Sequence, residues 1–439
     1  MMIRTFSFGL TVAVAVLCSI GVSCKKDNPV TPPSTPGHSA ITFQVTFIST
    51  RWCRLQWSND SATASHHYVL IRDGRDTLYN DSMAAGVATK VLQDTVLKPG
   101  TSYSYWVYRI VNGQRWDSAT VNVRTLDTTK DDFVWDQRRI GTAGAALFGL
   151  WGASPNSVWI VGTMGIRHVV EGQVTDPIVD TGQITFGSGN GCYGLSDSNI
   201  WFAGQNTLGH WTGHFLEVYP FTGIVDSLPD VTHGKNMEFY AIAMTPNNHE
   251  VFAVGDGGTI VHRRADGRWE VMQSGTTTGL SSLAVFSPTD VYAAGGYNGG
   301  NGILIHYDGL AWSTVITGKY PPDSTTLVGD FFVSGSSTDS LYLVGQNIYK
   351  RQATKWLDVT PRYLGQLSSM LSVDARQWND VVVTGEFGEI LKWDGEKWIF
   401  FKQLFNPGIN SGFNNVLVIG GEIYAVGADD NGALFIHGK

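Results

Sequence analysis

Carboxylates and aromatics recur in the glycine-rich turns of the second half of the chain. Asp256 stands in Gly255-Asp256-Gly257-Gly258, Tyr297 and Asn298 in Gly295-Gly296-Tyr297-Asn298-Gly299-Gly300, Glu386 and Phe387 directly after Gly385, and Asp429 and Asp430 before Asn431-Gly432. Such side chains accept hydrogen bonds from hydroxyls and amides and offer flat apolar faces, so as a group they suit a protein or glycan ligand. Convergence of two or three of the carboxylates would instead suit acid–base chemistry, as in a glycoside hydrolase or polysaccharide lyase. Other chemistries fail on spacing. The glycine-rich turns do not open helices, so they cannot aim a helix N-terminus at phosphate. His168, His262 and His306 recur at equivalent places in separate repeats and would fan apart rather than share a metal. Asp429-Asp430-Asn431-Gly432 lacks the longer spacing of a calcium loop. We therefore expect no catalytic residue, no cofactor and no metal ligand. The candidate ligand-binding set is Asp256, Tyr297, Asn298, Glu386, Phe387, Asp429 and Asp430, and whether any catalysis occurs stays open.

What would position these groups is a repeat. Apolar strands end in Gly162, Gly204, Gly255, Gly295, Gly345, Gly385 and Gly427. Each is preceded by a strand such as Leu147 to Trp151 and a polar turn such as Ser154-Pro155-Asn156-Ser157. Each is followed by a third strand and then a turn into a tryptophan strand, as in Lys392-Trp393-Asp394-Gly395-Glu396-Lys397-Trp398. Four short strands at a period of roughly 40–50 residues predict a β-propeller blade. The glycine is read as a sharp exit of the second strand from a crowded central channel. Second-to-third connections and the links between blades (174–188, 220–235, 318–326 and 403–412) should emerge on one face. That face also carries Asp176, Asp180, Asp226, Asp230, Asp323 and Tyr320. The last copy lacks its tryptophan strand, while Phe133 to Arg139 precedes the first copy unmatched. That N-terminal strand should complete the seventh blade and remove two open sheet edges.

Composition fits a folded, exported protein. Of 439 residues, 43% are hydrophobic and 12% aromatic, enough to bury more than one core. The net charge of −8, with no cluster of Lys and Arg, excludes nucleic acid as a partner. Phe6 to Val22 is apolar but too short and too abruptly ended for a stable span, and reads as a secretory signal. Residues 25–39 hold four prolines and read as an extended tether. Cys53 and Cys192 fall in different predicted domains and are expected as free thiols.

Three resemblances refine this. Gly21-Val22-Ser23-Cys24 resembles the lipobox of bacterial lipoproteins, with Gly21 where that family has Leu; Cys18 after Leu17 is a rival. The resemblance implies acylation of Cys24, processing of residues 1–23 and membrane contact through the lipid alone; Lys25-Lys26-Asp27 resembles the short charged signals that direct some lipoproteins to the outer face of the outer membrane, so an outer-membrane location on the periplasmic or surface side is expected. Arg54-Leu55-Gln56-Trp57, the turn Asp73-Gly74, and Leu97-Lys98-Pro99-Gly100-Thr101-Ser102-Tyr103 resemble a fibronectin type III domain over residues 40–127, with Tyr103 as its corner tyrosine. The repeats of 128–439 are similar to bacterial surface and periplasmic propellers in general. Asp308-Gly309 and Asp394-Gly395 do not meet the Ser-x-Asp-x-Gly-x-x-Trp box of sialidases and suit hairpin turns instead. The expectation is therefore an all-β chain, a β-sandwich followed by a seven-bladed β-propeller closed by an N-terminal strand. It would be a monomeric envelope lipoprotein binding protein or glycan through the propeller loop face.

Overall fold

The computed structural model describes residues 41–48, 50–58, 65–129, 131–175, 186, 188–221, 237–246, 249–297, 302–317, 330–352, 355–365, 367–377, 379–404 and 411–439. Cys24, the tether, Asn298 and most of the links between blades lie outside the described residues, as do Asp176, Asp180, Asp226, Asp230, Tyr320 and Asp323.

The chain is all-β, a β-sandwich followed by a propeller. The sandwich has a three-stranded sheet (Phe43–Ile48, Cys53–Ser58 and Thr89–Asp94) and a four-stranded sheet ordered Asp76–Met83, His66–Arg72, Ser102–Val111 and Gln114–Arg124. Alternation decides what is buried: Cys53, Leu55 and Trp57 are sealed from solvent on one strand, and Tyr68 and Leu70 on another. Trp57 meets Tyr79 edge-on at 5.3 Å. Asp73 and Gly74 both take positive φ, 48° and 69°, matching the twist of a two-residue hairpin. The hydroxyl of Tyr103 accepts a 2.8 Å hydrogen bond from the Lys98 backbone N–H, tying the corner before its strand.

Seven four-stranded sheets follow. Blade 1 contains Leu147–Ser154, Ser157–Gly162, Gly165–Val170 and Gln173–Val174, and blade 2 contains Gly189–Ser196, Asn199–Gly204, Thr207–Trp211 and Leu216–Pro220. Blade 3 is built from Phe239–Met244, Val251–Gly255, Ile260–Arg263 and Trp269–Met272, and blade 4 from Gly279–Ser287, Asp290–Tyr297, Ile303–Tyr307 and Trp312–Thr317. Blade 5 takes Phe332–Gly335, Leu341–Val344, Ile348–Gln352 and Lys355–Asp358, and blade 6 takes Met370–Gln377, Asp380–Gly385, Ile390–Trp393 and Trp398–Phe400. Blade 7 has three strands from the C-terminus, Gly412–Ile419, Glu422–Asp429 and Gly432–Gly438, and Trp135–Ile140 as its fourth.

The closing strand runs antiparallel to Gly432–Gly438, from Gly438 opposite Trp135 to Ala433 opposite Ile140. Val134 and Lys439 exchange backbone hydrogen bonds of 2.9 and 3.0 Å. Trp135 packs edge-on against Phe401 at 5.0 Å, and Leu417 and Tyr424 of blade 7 share a core with Leu150 and Ile160 of blade 1. The ring is shut by hydrogen bonds at its outer edge and by apolar packing between its first and last blades.

Two sequence expectations are corrected. First strands, not second strands, line the centre, since each neighbours the first strand of the next blade and the seventh neighbours the first. Second strands are sandwiched instead, so they are apolar on both faces; Ala253, Val254, Val383 and Ala425 have no exposure. The glycines ending them are explained by close approach rather than by a sharp exit. A Cβ on Gly255 would lie 2.1 Å from the Glu238 carbonyl oxygen, and one on Gly427 would lie 1.8 Å from that of Gly412. In these two blades the cause is a bulge near the start of the facing first strand, seen as a register shift between Phe239 and Ala241 and again between Phe413 and Asn415.

Candidate functional site

A cleft of about 480 Å³ opens between blades 5 and 6 at the rim where second strands end. Three segments build its wall. Gln346 and Asn347 form the second-to-third turn of blade 5, Thr360 to Ser369 link the two blades, and Glu386 and Phe387 form the second-to-third turn of blade 6. Local hydrogen bonds fix each one. Asp358 accepts from the Thr360 N–H at 2.9 Å, the Thr360 hydroxyl accepts from the Ile348 N–H at 3.0 Å, and Asp358 pairs with Arg362. Asn347 donates its amide to the Tyr349 hydroxyl at 3.0 Å. The Glu386 N–H is held by the Ser369 carbonyl at 3.1 Å and the Phe387 N–H by that of Ser411 at 2.5 Å.

Phe387 sits at φ 58°, a left-handed conformation that costs a residue with a Cβ about 1 kcal/mol or more. Its neighbour must be glycine, because a Cβ on Gly388 would meet the Leu404 carbonyl oxygen at 2.4 Å. Behind the wall lies Glu389, 1% exposed, which accepts from the Ser368 hydroxyl at 2.6 Å and from the Ser368 N–H. Burial pushes its carboxyl above the ordinary range against the pull of those hydrogen bonds, and the charge of Glu386 adds to the push. The cleft thus combines two amides, several hydroxyls, an exposed carboxylate and guanidinium, and a half-buried aromatic. This suits hydrogen-bonded recognition with one flat apolar contact.

Of the candidate set, Glu386 and Phe387 come together here. Asp256 occupies the same rim in blade 3 but is engaged in the fold: it accepts from the Tyr240 hydroxyl at 2.8 Å and from the Glu238 N–H at 3.2 Å. Asp429 pairs with Arg139 of the closing strand at 2.5 Å, and that partner holds its carboxyl below the ordinary range. Asp430 is exposed in the second-to-third turn of blade 7. Tyr297 ends the second strand of blade 4, its backbone opposite Gly279. Among the described residues no three or more His, Cys, Asp or Glu side chains are grouped as a metal site. Neither Cys53 nor Cys192 is in a disulfide. The sequence had not indicated Gln346, Asn347, Thr360, Arg362, Ser368 or Ser369, since each becomes a wall residue only when two blades meet.

At the opposite rim a second constellation repeats. An aromatic on the second strand stacks on a histidine directly across on the third: Trp159 on His168, Trp201 on His210, Phe252 on His262, Tyr292 on His306 and Tyr424 on His437, all with centroids 4.1 to 4.3 Å apart. Two residues before each aromatic stands a polar group that binds the histidine's Nε2. These are Ser157 at 2.7 Å, Asn199 at 2.9 Å, Glu250 at 2.8 Å, Asp290 at 2.8 Å and Glu422 at 2.6 Å. In blade 6 the same places hold Asp380, Val382 and Lys392, with the ammonium 2.5 Å from the carboxylate. The histidines therefore clamp second to third strands within separate blades. His210 and His437 belong to the set as well, and the polar-x-aromatic pattern before each second strand carries their signal.

Neither a protein-family model nor a curated protein sequence matches the chain. Solved structures do. One described as YCF48 bound to D1 peptide is 16% identical, with a TM-score of 0.52 over 71% of this chain and 98% of that one. A catalytically inactive virginiamycin B lyase from Staphylococcus aureus with quinupristin is 15% identical, with a TM-score of 0.50 over 70% and 99%. At these identities the likeness is one of fold, and the fold is a β-propeller.

Proposed function

We propose that the chain is a lipid-anchored envelope protein whose propeller binds a protein or glycan without catalysis, through the rim that carries the blade 5–6 cleft. In this reading Cys24 holds the lipid, residues 24–39 form a tether, and a fibronectin type III-like sandwich over 40–127 spaces the propeller from an outer membrane. The observation that carries the binding role is the cleft itself, where Phe387 keeps a strained backbone beside exposed Glu386. Strain retained at a surface turn points to a role other than stability. A structural neighbour described as bound to a peptide supports a protein ligand for this architecture.

A glycoside hydrolase of the usual kind needs two carboxyl groups facing one bond. Glu386 lines the cleft, but Glu389 is sealed behind Ser368, and Asp256 and Asp429 are engaged elsewhere. We therefore favour binding. The test is a glycan array and a peptide library screened with the full chain and with Phe387→Ala and Glu386→Gln. A ligand retained by the parent and weakened at least tenfold in both variants supports the reading. A ligand bound equally by all three proteins places recognition elsewhere and overturns it.

A further inference from the structure

Blade 5 departs from the other six at one point. Its third-strand clamp residue is Lys350, opposite Tyr342. Two residues before that aromatic, where four other blades place Glu250, Asp290, Asp380 or Glu422, stands Ser340. Blade 1 also has a serine there, but Asp197 from the neighbouring blade's turn supplies the carboxylate and accepts from Ser157 Oγ at 2.5 Å. The matching turn of blade 6 reads Gln377-Trp378-Asn379-Asp380, and Asp380 is already taken by Lys392.

Lys350 consequently makes no hydrogen bond or ion pair among the described residues; its ammonium rests 5.3 Å from the centroid of the Tyr342 ring. The Ser340 hydroxyl oxygen is buried and has no hydrogen-bond partner among them. Two polar groups that the repeat pairs in every other blade are thus left unpaired side by side in sequence register. Half-burial of an ammonium without an anion is costly, and it holds the Lys350 amine below the ordinary lysine range. Lys350 itself is only partly buried, and on the outer side its cross-strand neighbour Leu357 is 43% exposed, so the ammonium lies next to solvent.

We infer that Lys350 and Ser340 form a carboxylate-binding subsite, filled from outside the chain by a free small carboxylate or by an Asp or Glu side chain of a partner protein. Blade 6 displays the completed form, with Asp380 against Lys392. The subsite belongs to the rim opposite the cleft, so it stands or falls independently of the binding role proposed above.

The experiment labels the full chain with 13C-lysine and identifies the Lys350 signal by its loss in Lys350→Met. The protein is titrated with acetate and, separately, with a hexaglutamate peptide. Lys350 should respond saturably and alone, and its titration midpoint should rise by about one pH unit or more when the site is filled. Saturation by acetate indicates a free carboxylate as the occupant; response to the peptide only indicates a protein side chain. Ser340→Asp should raise the midpoint with no ligand present and abolish both responses. If that variant does not fold, Ser340→Ala must weaken the response severalfold. No response, a response shared by all lysines, or full response in Ser340→Asp or Ser340→Ala overturns the site.

Discussion

The two rims of the propeller use the same strands for opposite ends. Where second strands begin, polar side chains are closed into clamps: His262 is held between Glu250 at 2.8 Å and Glu270 at 2.7 Å while stacked on Phe252. Where second strands end, Gln346, Glu386 and Phe387 face an open cleft. A repeat can vary one rim because the other carries the stability, and the exceptions at each rim are the informative places. At the clamped rim the exception is Lys350, and at the open rim the exceptions are Asp256 and Asp429, whose carboxylates are closed into the fold.

The strongest way to break this comparison is to open the ring. Removing residues 133–139 deletes the strand that pairs with Gly432–Gly438, the packing of Trp135, and the Arg139 partner of buried Asp429. Loss of the cooperative melting transition, or a fall of more than about 10 °C, is expected for a deficit of several kcal/mol in a unit of this size. An unchanged melting temperature would mean that the blades are held by packing alone.

A smaller effect tests the clamps. His262→Ala leaves two carboxyl groups without their shared imidazole partner and a phenyl ring without its stacked partner, which should cost about 2–4 kcal/mol in denaturant unfolding. Equal cost from Glu386→Ala at the other rim would erase the distinction between rims.

The clamps also set a pH dependence. Burial lowers the His168 and His210 pKa below the unfolded value of 6.5, against the opposing pull of Asp197 and of Glu217. The unfolded chain then binds more protons than the folded one, so stability rises with pH across this range. It is complete above about pH 6.5 and is lost as pH falls from there through the depressed folded values. Unfolding midpoints measured from pH 8 to pH 5 should fall, and the slope should flatten in His210→Phe.

How much of this was legible follows from where each signal resides. The closing strand was legible because the last repeat lacks a member that Phe133 to Arg139 supplies, and a missing member is visible in a linear repeat. The glycine ends were legible but their cause was not, since the bulge that crowds Gly255 belongs to the facing strand at Glu238 and Phe239. Sequence spacing brought Glu386 and Phe387 forward by residue type. It could not show that Ser368 and Gln346 join them, because that proximity comes from the meeting of two blades. Nor could it separate Asp429 from Asp430, adjacent residues of which one faces Arg139 and the other solvent.

The smallest expected effect on stability is the sharpest on function. At φ 58° a glycine avoids the penalty that any Cβ incurs, so Phe387→Gly should be more stable than Phe387→Ala by about 1 kcal/mol. Relative to the parent, that relief offsets the lost contacts of a half-buried ring and the greater freedom of glycine in the unfolded chain. The melting temperature of Phe387→Gly should therefore lie within about 3 °C of the parent. Binding through the cleft should fall at least tenfold in both variants, because each removes the ring and neither touches the clamps. If Phe387→Ala proved as stable as Phe387→Gly, the left-handed backbone would carry no strain and the case for a functional Phe387 would lose its physical ground. If Phe387→Gly instead unfolded the propeller, the open rim would be structural like the other, and the contrast between the two rims would fail.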